Sequence, residues 1–355
     1  MNESLTIIVI GGGAAGFFGA ITCANNYPDT KIILLEAGRQ PLAKVRISGG
    51  GRCNVTHHCF DPIQLIDYYP RGSKALRGAF TRFQPRDTVA WFESQGVRLK
   101  TEADGRMFPV TDSSETIVNC LMNAAKNAGV KLRTQAAVKF VEKVDDKFKI
   151  QLKTGEVLSG DRLLIATGSN PSGYDWAKNL GHTIVPPVPS LFTFNINDSR
   201  LQDLAGISVE NVAVRLLNSG KKSLQQIGPV LITHWGLSGP GILRLSAFGA
   251  RILHENSYQS SVSINWLYPE NTEAIKAALL KSKSQLTRKF VLTACPVQIP
   301  KRFWQKILTY LNIDQSKKWA DLSQKEINKL ALELTQGQYR IKGKGVFKEE
   351  FVTCG

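Results

Sequence analysis

Cysteine is scarce and unpatterned in this sequence. Six are scattered over 355 residues, at positions 23, 53, 59, 120, 295 and 354, with no C-x-x-C pair. That excludes a disulfide framework and fits reduced thiols in a cytoplasmic protein. No run approaches the ~18 apolar residues of a membrane span. The first residues carry no basic leader, and the apolar run 5–10 passes straight into glycines, which argues against a secretory signal. No internal repeat or low-complexity tract is present. His57, His58 and Cys59 are adjacent, but no second ligand cluster stands at metal spacing, so no metal site is expected. Acidic residues are the minority: 29 Asp and Glu against 45 Lys and Arg, a formal net charge of +16. Such an excess suits an anionic partner, whether nucleic acid, a phosphorylated cofactor or an acidic membrane. The densest clusters, residues 139–149 and 342–350, mix both signs, which favours a solvated basic surface over a nucleic-acid groove.

What is present is a folded composition, 43% hydrophobic and 21% charged, in a chain long enough for two to three domains of about 150 residues. Residues 5–10, LTIIVI, read as a strand buried on both faces. Glycines follow, then a helix over 14–26 and a second buried strand over 31–36. This strand–turn–helix–strand unit requires a parallel sheet with a right-handed crossover. Residues 47–54 read as an irregular glycine-rich loop, and 62–95 as mainly helical, amphipathic around 87–94. A helix over 113–127 opens on a capping-box pattern and ends near Gly129. Short strands are expected over 130–134, 137–144, 147–153 and 156–159, the last two joined by a turn at 154–155, and an apolar strand over 161–166. The prolines at 186–189 mark a domain boundary. Beyond them the pattern predicts short strands to 266, lysine-rich helices from 271 to about 334, and strand character from 339.

Residues 11–16, GGGAAG, satisfy G-x-G-x-x-G at Gly11, Gly13 and Gly16. Gly11 permits the turn out of the strand, Gly13 lets backbone approach a pyrophosphate, and Gly16 lets the helix pack closely. The helix start, with Ala14 and Ala15, offers free N–H groups and a positive dipole end to an anion. Glu36 follows Gly16 by about 20 residues, where a carboxylate accepts hydrogen bonds from ribose hydroxyls and disfavours a 2′-phosphate. Two further features favour FAD over NAD at this site. Ala166, Thr167 and Gly168 close an apolar strand. Ser48, Gly49, Gly50, Gly51, Arg52, Cys53 and Asn54 form a loop with little side-chain bulk, suited to a flat ligand.

The blocks GGGAAG, SGGGRCN, GRMFP at 105–109, ATGS at 166–169 and THWGLSGP at 233–240 together resemble the BaiN-type flavoproteins. These are also described as HI-type or aminoacetone-oxidase-like NAD(P)/FAD-dependent oxidoreductases. The resemblance runs in order through the whole chain. It implies an α/β fold: a glutathione-reductase-like FAD-binding Rossmann domain with an inserted β-barrel-like domain and a small helical domain. The expected boundaries are 1–188 for the FAD-binding part, 189–268 for a β-rich substrate domain, 269–336 for the helical domain and 337–355 for a return to the FAD domain. The resemblance also implies that Gly11, Gly13, Gly16, Glu36 and Ala37 hold the ADP half, that residues from Lys44 to Asn54 lie along pyrophosphate and flavin, and that Val138 meets adenine through its backbone. Ser169 replaces the second glycine usual in that turn. The chain ends at residues 351–355, where the family pattern carries on into a glycine-and-acid segment over the ribityl chain, so weak FAD retention is expected.

A flavin supplies redox chemistry while the protein orients substrate and tunes charge near N1, a role open to Lys44, Arg46 or Arg52. His234 and Ser238, in a Gly- and Pro-rich turn, are the catalytic candidates, His234 for proton transfer near neutrality. Arg106 is a candidate pocket residue, while Trp91 and Trp235 read as packing. No second G-x-G-x-x-G follows a strand, so NADH or NADPH would bind only transiently. Three activities fit: an NAD(P)H-dependent reductase of a small enone, a flavin oxidase of a small aminoacetone-like amine, and a flavin-bearing RNA-binding or RNA-modifying protein. The third is suggested by the net charge and the basic segment 281–318. A small-molecule substrate and no membrane partner are expected.

Overall fold

The computed structural model describes residues 5–217, 220, 223–345 and 352–354. They divide into two compact units, residues 1–185 and 186–355. In the first, β1 (Thr6–Ile10) leads through the glycines into α1 (Ala14–Asn26), and β2 (Lys31–Leu35) follows. α1 forms because Phe17, Ala20, Ile21 and Ala24 recur at helical spacing and are buried on one face. Burying the Phe17 side chain alone is worth ~2 kcal/mol. α2 (Ala43–Gly51) is followed by β3 (Thr56–His57), α3 (Pro62–Leu65), α4 (Ser73–Phe80) and α5 (Pro85–Ser94). β4 (Leu99–Thr101), β5 (Arg106–Pro109) and α6 (Ser114–Asn127) come next. Last are β6 (Lys131–Arg133), β7 (Val138–Val144), β8 (Lys147–Leu152), β9 (Val157–Gly160), β10 (Arg162–Ile165) and α7 (Pro171–Asn179).

The central sheet runs β10-β1-β2-β6, all parallel, as the opening unit requires. The small sheets β3-β5-β4 and β7-β8-β9 are antiparallel. The irregular glycine loop is present and one local expectation, a capping box, is corrected. Residues 43–47 make a helical turn before the glycine loop, broken where Ser48 turns extended and Gly49 and Gly50 turn left-handed. The capping box at the start of α6 does not form. Ser114 donates its hydroxyl to the Arg46 carbonyl at 2.8 Å and Glu115 pairs with Arg46, so both are drawn across to α2, and Ser113 makes no side-chain cap.

The second unit contains β11 (Val188–Ser190), β12 (Phe194–Asn195), β13 (Ser208–Leu216), β14 (Leu224–Thr233), β15 (Gly236–Ser238), α8 (Pro240–Phe248), α9 (Ala250–Glu255) and β16 (Ser260–Asn265). Then come α10 (Thr272–Gln285), α11 (Lys301–Tyr310), α12 (Gln324–Gln336), β17 (Gly337–Ile341), β18 (Gly343–Lys344) and β19 (Val352–Cys354). Its main sheet runs β17-β16-β13-β14-β15-β12-β18, with antiparallel neighbours. β17 and β18 lie at opposite edges yet are separated only by Lys342. The sheet must therefore curl until its edges meet, the geometry of a barrel. Residues 337–344 thus complete this barrel rather than return to the first unit, because β17 pairs with β16 and β18 with β12. Residues 346–351 and 355 of the expected terminal strand region, and so most of the mixed-charge cluster ending at 350, lie outside the described residues.

Arg200, 3% exposed, fixes α12 to the barrel. It donates to Asp198 and Glu333 at 2.6 Å and to the Gln338 carbonyl at 2.5 Å, with its guanidinium 3.7 Å from the Tyr339 ring centroid. Burial pushes the Asp198 and Glu333 carboxyls up. Arg200 overrides this at Asp198, which ends below its ordinary value, but not at Glu333.

Candidate dinucleotide site

The backbone requires glycine at two of the three motif positions and leaves the third open. Gly11 has φ +113°, and a Cβ there would lie 2.4 Å from the Ala166 carbonyl oxygen. A Cβ on Gly16 would lie 1.9 Å from the Gly11 oxygen, so α1 sits directly on the turn that precedes it. Gly13 is the opposite case: a Cβ would meet nothing within 4 Å. It faces open space at the start of α1, whose first turn carries no acidic residue and no side-chain cap. Ala14 and Ala15 are exposed there. This end of the helix keeps its N–H groups and positive dipole end for an anion.

Glu36 stands at the end of β2. Its carboxylate accepts from the amide of Gly12 at 2.8 Å and of Gly38 at 2.6 Å, tying the β2 turn to the motif across the exposed Ala37. A carboxylate has acceptor sites beyond two, so Glu36 retains capacity for ribose hydroxyls. The Ala136 amide donates to the Glu36 carbonyl at 2.8 Å, bringing the segment that opens β7, and Val138 two residues on, beside this turn. The Val138 side chain is buried against the core of β8.

The second turn closes the same corner. The Ala166 amide donates to the Ile10 carbonyl at 2.8 Å, and Thr167 and Gly168 follow. Lys44, from α2, donates to the Ser169 hydroxyl at 2.9 Å. In the glycine loop, Gly49, Gly50 and Gly51 have φ of +58°, +69° and +83°. A Cβ on Gly49 would come within 2.9 Å of the Phe108 ring, whereas Gly50 and Gly51 face open space. Exposed backbone without side chains is the surface that a flat ring system needs. Cys53, at φ +60°, is buried, and burial pushes its thiol up, so it is not an activated thiolate.

The three candidate cations near a flavin differ in what they hold. Arg46 is paired with Glu115. Arg52 lies 2.6 Å from Glu102 and 3.5 Å from Asp112, its guanidinium 4.0 Å from the Phe108 centroid. Lys44 holds a hydroxyl. Arg106 is paired with Asp104 and Glu102, and Phe108 beneath it is fully buried. The linkage of Lys44 to Ser169 was not foreseen: nothing local in either segment signals the other. Leu42, also missed, is left-handed at φ 61° and donates its amide to the Gly12 carbonyl at 2.7 Å.

His234 and Ser238 belong to the second unit, on the β14–β15 hairpin. His234 is exposed at the turn and has no hydrogen-bond partner among the described residues. Ser238 is half-buried in β15, opposite Leu231. The glycines around them are structural: a Cβ on Gly236 would lie 2.2 Å from the Phe194 oxygen and one on Gly239 2.8 Å from the Pro229 oxygen.

The parallel sheet, the glycine turn and the carboxylate after β2 define a dinucleotide-binding protein of the Rossmann class. The model described as HI0933-like protein Rossmann domain matches residues 5–242, and that described as HI0933-like protein barrel and H2TH domain matches residues 188–352. The chain belongs to this HI0933-like family of FAD-dependent oxidoreductases. Among curated proteins it is similar to ribosomal RNA dihydrouridine synthase of Escherichia coli K12, 27% identical over 99% of this chain and 85% of that one. It is 28% identical to the protein of the same name from Haemophilus influenzae, over 84% of this chain and 74% of that one. It is also 26% identical to 3-dehydro-bile acid delta(4,6)-reductase of Clostridium scindens, over 76% of this chain and 66% of that one. Among the described residues, no helix is long and apolar enough to cross a membrane.

Proposed function

We propose that this protein reduces a carbon–carbon double bond conjugated to a carbonyl, with FAD bound at the cradle above and NADH or NADPH as a transient electron donor. The observation that carries this reading is a dinucleotide cradle open at Gly13, Gly50 and Gly51. It is supported by the names of the relatives, which describe one shared change, saturation of such a bond in uridine or in a bile acid. FAD supplies hydride transfer when bound. The residues of the chain do the rest. The start of α1 takes the pyrophosphate, Glu36 takes the ribose, and the glycine loop leaves a flavin face uncovered. Lys44, which donates to the Ser169 hydroxyl at this corner, brings a positive charge that offsets negative charge near that face. His234 delivers the proton that completes the reduction, with Ser238 as a further polar group on the same hairpin.

The substrate is a small enone-type molecule. A second form of the same chemistry, a uridine base within RNA, is favoured by the net charge of +16. Anaerobic mixing tests the reaction class. NADH or NADPH is expected to bleach the visible flavin band, and an enone or a uridine-containing RNA to restore it. Bleaching by a small amine, with none by NADH or NADPH, would replace this reading with an oxidase.

A further inference from the structure

Between Asp67 and Asp87 the chain has no acidic residue. Its 19 intervening positions hold Arg71, Lys74, Arg77, Arg82 and Arg86 together with Tyr68, Tyr69, Phe80 and Phe83. The fold gives this stretch almost nothing to cover it. Helix α4 buries none of its side chains, and no residue from 66 to 84 is buried. A helix of a folded unit is ordinarily held by an apolar face that it hides. Here Phe80 is only half-covered, against Tyr69 at 5.4 Å between ring centroids. Yet both ends of the stretch are fixed to cofactor-binding elements. Tyr68 packs on His57 of β3, just beyond the glycine loop, at 4.8 Å, and Phe83 packs on Phe18 of α1 at 5.4 Å. Among the described residues no carboxylate pairs with Lys74, Arg77 or Arg82. Several cations of the second unit's basic segment are engaged in the fold instead. Lys283 donates to the Leu322 carbonyl, Lys306 pairs with Asp203 and Lys317 with Glu326, so these hold the fold.

We infer that residues 68–86 are a docking surface for single-stranded RNA. Lys74, Arg77 and Arg82 take phosphates, and Tyr69 and Phe83, 40% and 43% exposed, take unpaired bases. Four of the five cations are arginine, whose planar fork matches phosphate oxygens. A membrane suits the surface less well: α4 is about 12 Å long, and its one aromatic residue, Phe80, packs on Tyr69. The inference rests on the reductase reading in one respect, that uridine in RNA is the form of substrate that carries phosphates.

The test uses the full-length, FAD-loaded protein and a fluorescein-labelled oligouridylate of about 20 nucleotides, read by anisotropy at about 50 and 200 mM salt. The triple variant Lys74→Gln/Arg77→Gln/Arg82→Gln is expected to bind about tenfold or more weakly at the lower salt, with the logarithmic salt slope reduced by about 2. Tyr69→Ala is expected to weaken binding about fivefold without changing the slope. Lys281→Gln/Arg288→Gln/Lys289→Gln, in the second unit, is expected to change binding less than about threefold. The inference is overturned if the first triple variant binds as the parent does, if the second-unit variant loses more, or if phosphatidylserine vesicles are bound and the RNA is not. Flavin bleaching by NADH or NADPH, measured on the same samples, separates the two claims. If neither nucleotide bleaches parent or variant while RNA binding falls as described, the reductase reading fails and the docking surface stands.

Discussion

The ammonium of Lys44 donates a 2.9 Å hydrogen bond to the hydroxyl of Ser169, across 125 positions of sequence. One residue belongs to the helix leading into the glycine loop, the other to the turn after β10. Together they close the corner opened by Gly11 and Ala166. Lys44→Ala is expected to lower FAD affinity by about 1 kcal/mol, roughly fivefold, with little change in thermal stability. Flavin fluorescence titration of the apoprotein reads this directly. Unchanged affinity would mean that Lys44 takes no part in holding the cofactor.

The carboxylate of Asp161 accepts the Thr6 amide at 2.7 Å, joining the starts of β1 and β10. That hydrogen bond holds the carboxyl below the ordinary range, with Lys147 adding to it. A carboxyl lowered on folding stabilises the folded state above its unfolded pKa, about 3.9, and the contribution is lost as pH falls through the folded value. Asp161→Asn is therefore expected to melt below the parent at about pH 6, with the gap closing as pH drops below about 4. A gap that stays constant over that range would contradict the assignment.

His234 lies exposed at a hairpin turn with no side-chain partner among the described residues, while Gly236, two positions on, makes the close approach to Phe194 that the hairpin needs. Replacing the imidazole should leave the hairpin intact. His234→Asn is expected to slow turnover by ~10²-fold, the usual scale of general acid catalysis. Reduction of the flavin by NADH or NADPH should keep its rate. Stopped-flow measurement of the two half-reactions separates these effects. Equal loss in both halves would assign His234 to something other than proton delivery.

The parallel core was legible because its signals are local. LTIIVI and KIILLE are apolar runs of strand length, and α1 shows its buried face in four residues. The packing roles of Gly11 and Gly16 followed from the known needs of a strand-to-helix turn. What was not legible depends on distant contacts. Ser113 reads as a cap, but Ser114 and Glu115 are taken by Arg46, which no local pattern announces. Arg52 reads as a free cation beside a ligand. Glu102 and Asp112 claim it instead, from 50 and 60 positions away. The barrel was missed at its last strands for the same reason. Only the pairing of β17 with β16 and of β18 with β12 shows that residues 337–344 close it.

Gly13 offers the most direct test of the dinucleotide cradle. Its backbone, at φ −87° and ψ −175°, is one that a β-branched residue adopts freely, and a Cβ there meets no protein atom. Gly13→Val should therefore fold as the parent does while filling the space where the pyrophosphate meets α1. The absorption spectrum of the purified variant, taken beside its thermal midpoint, decides the matter. The account predicts an unchanged midpoint for the apoprotein and no flavin band. A variant as yellow as its parent would contradict it.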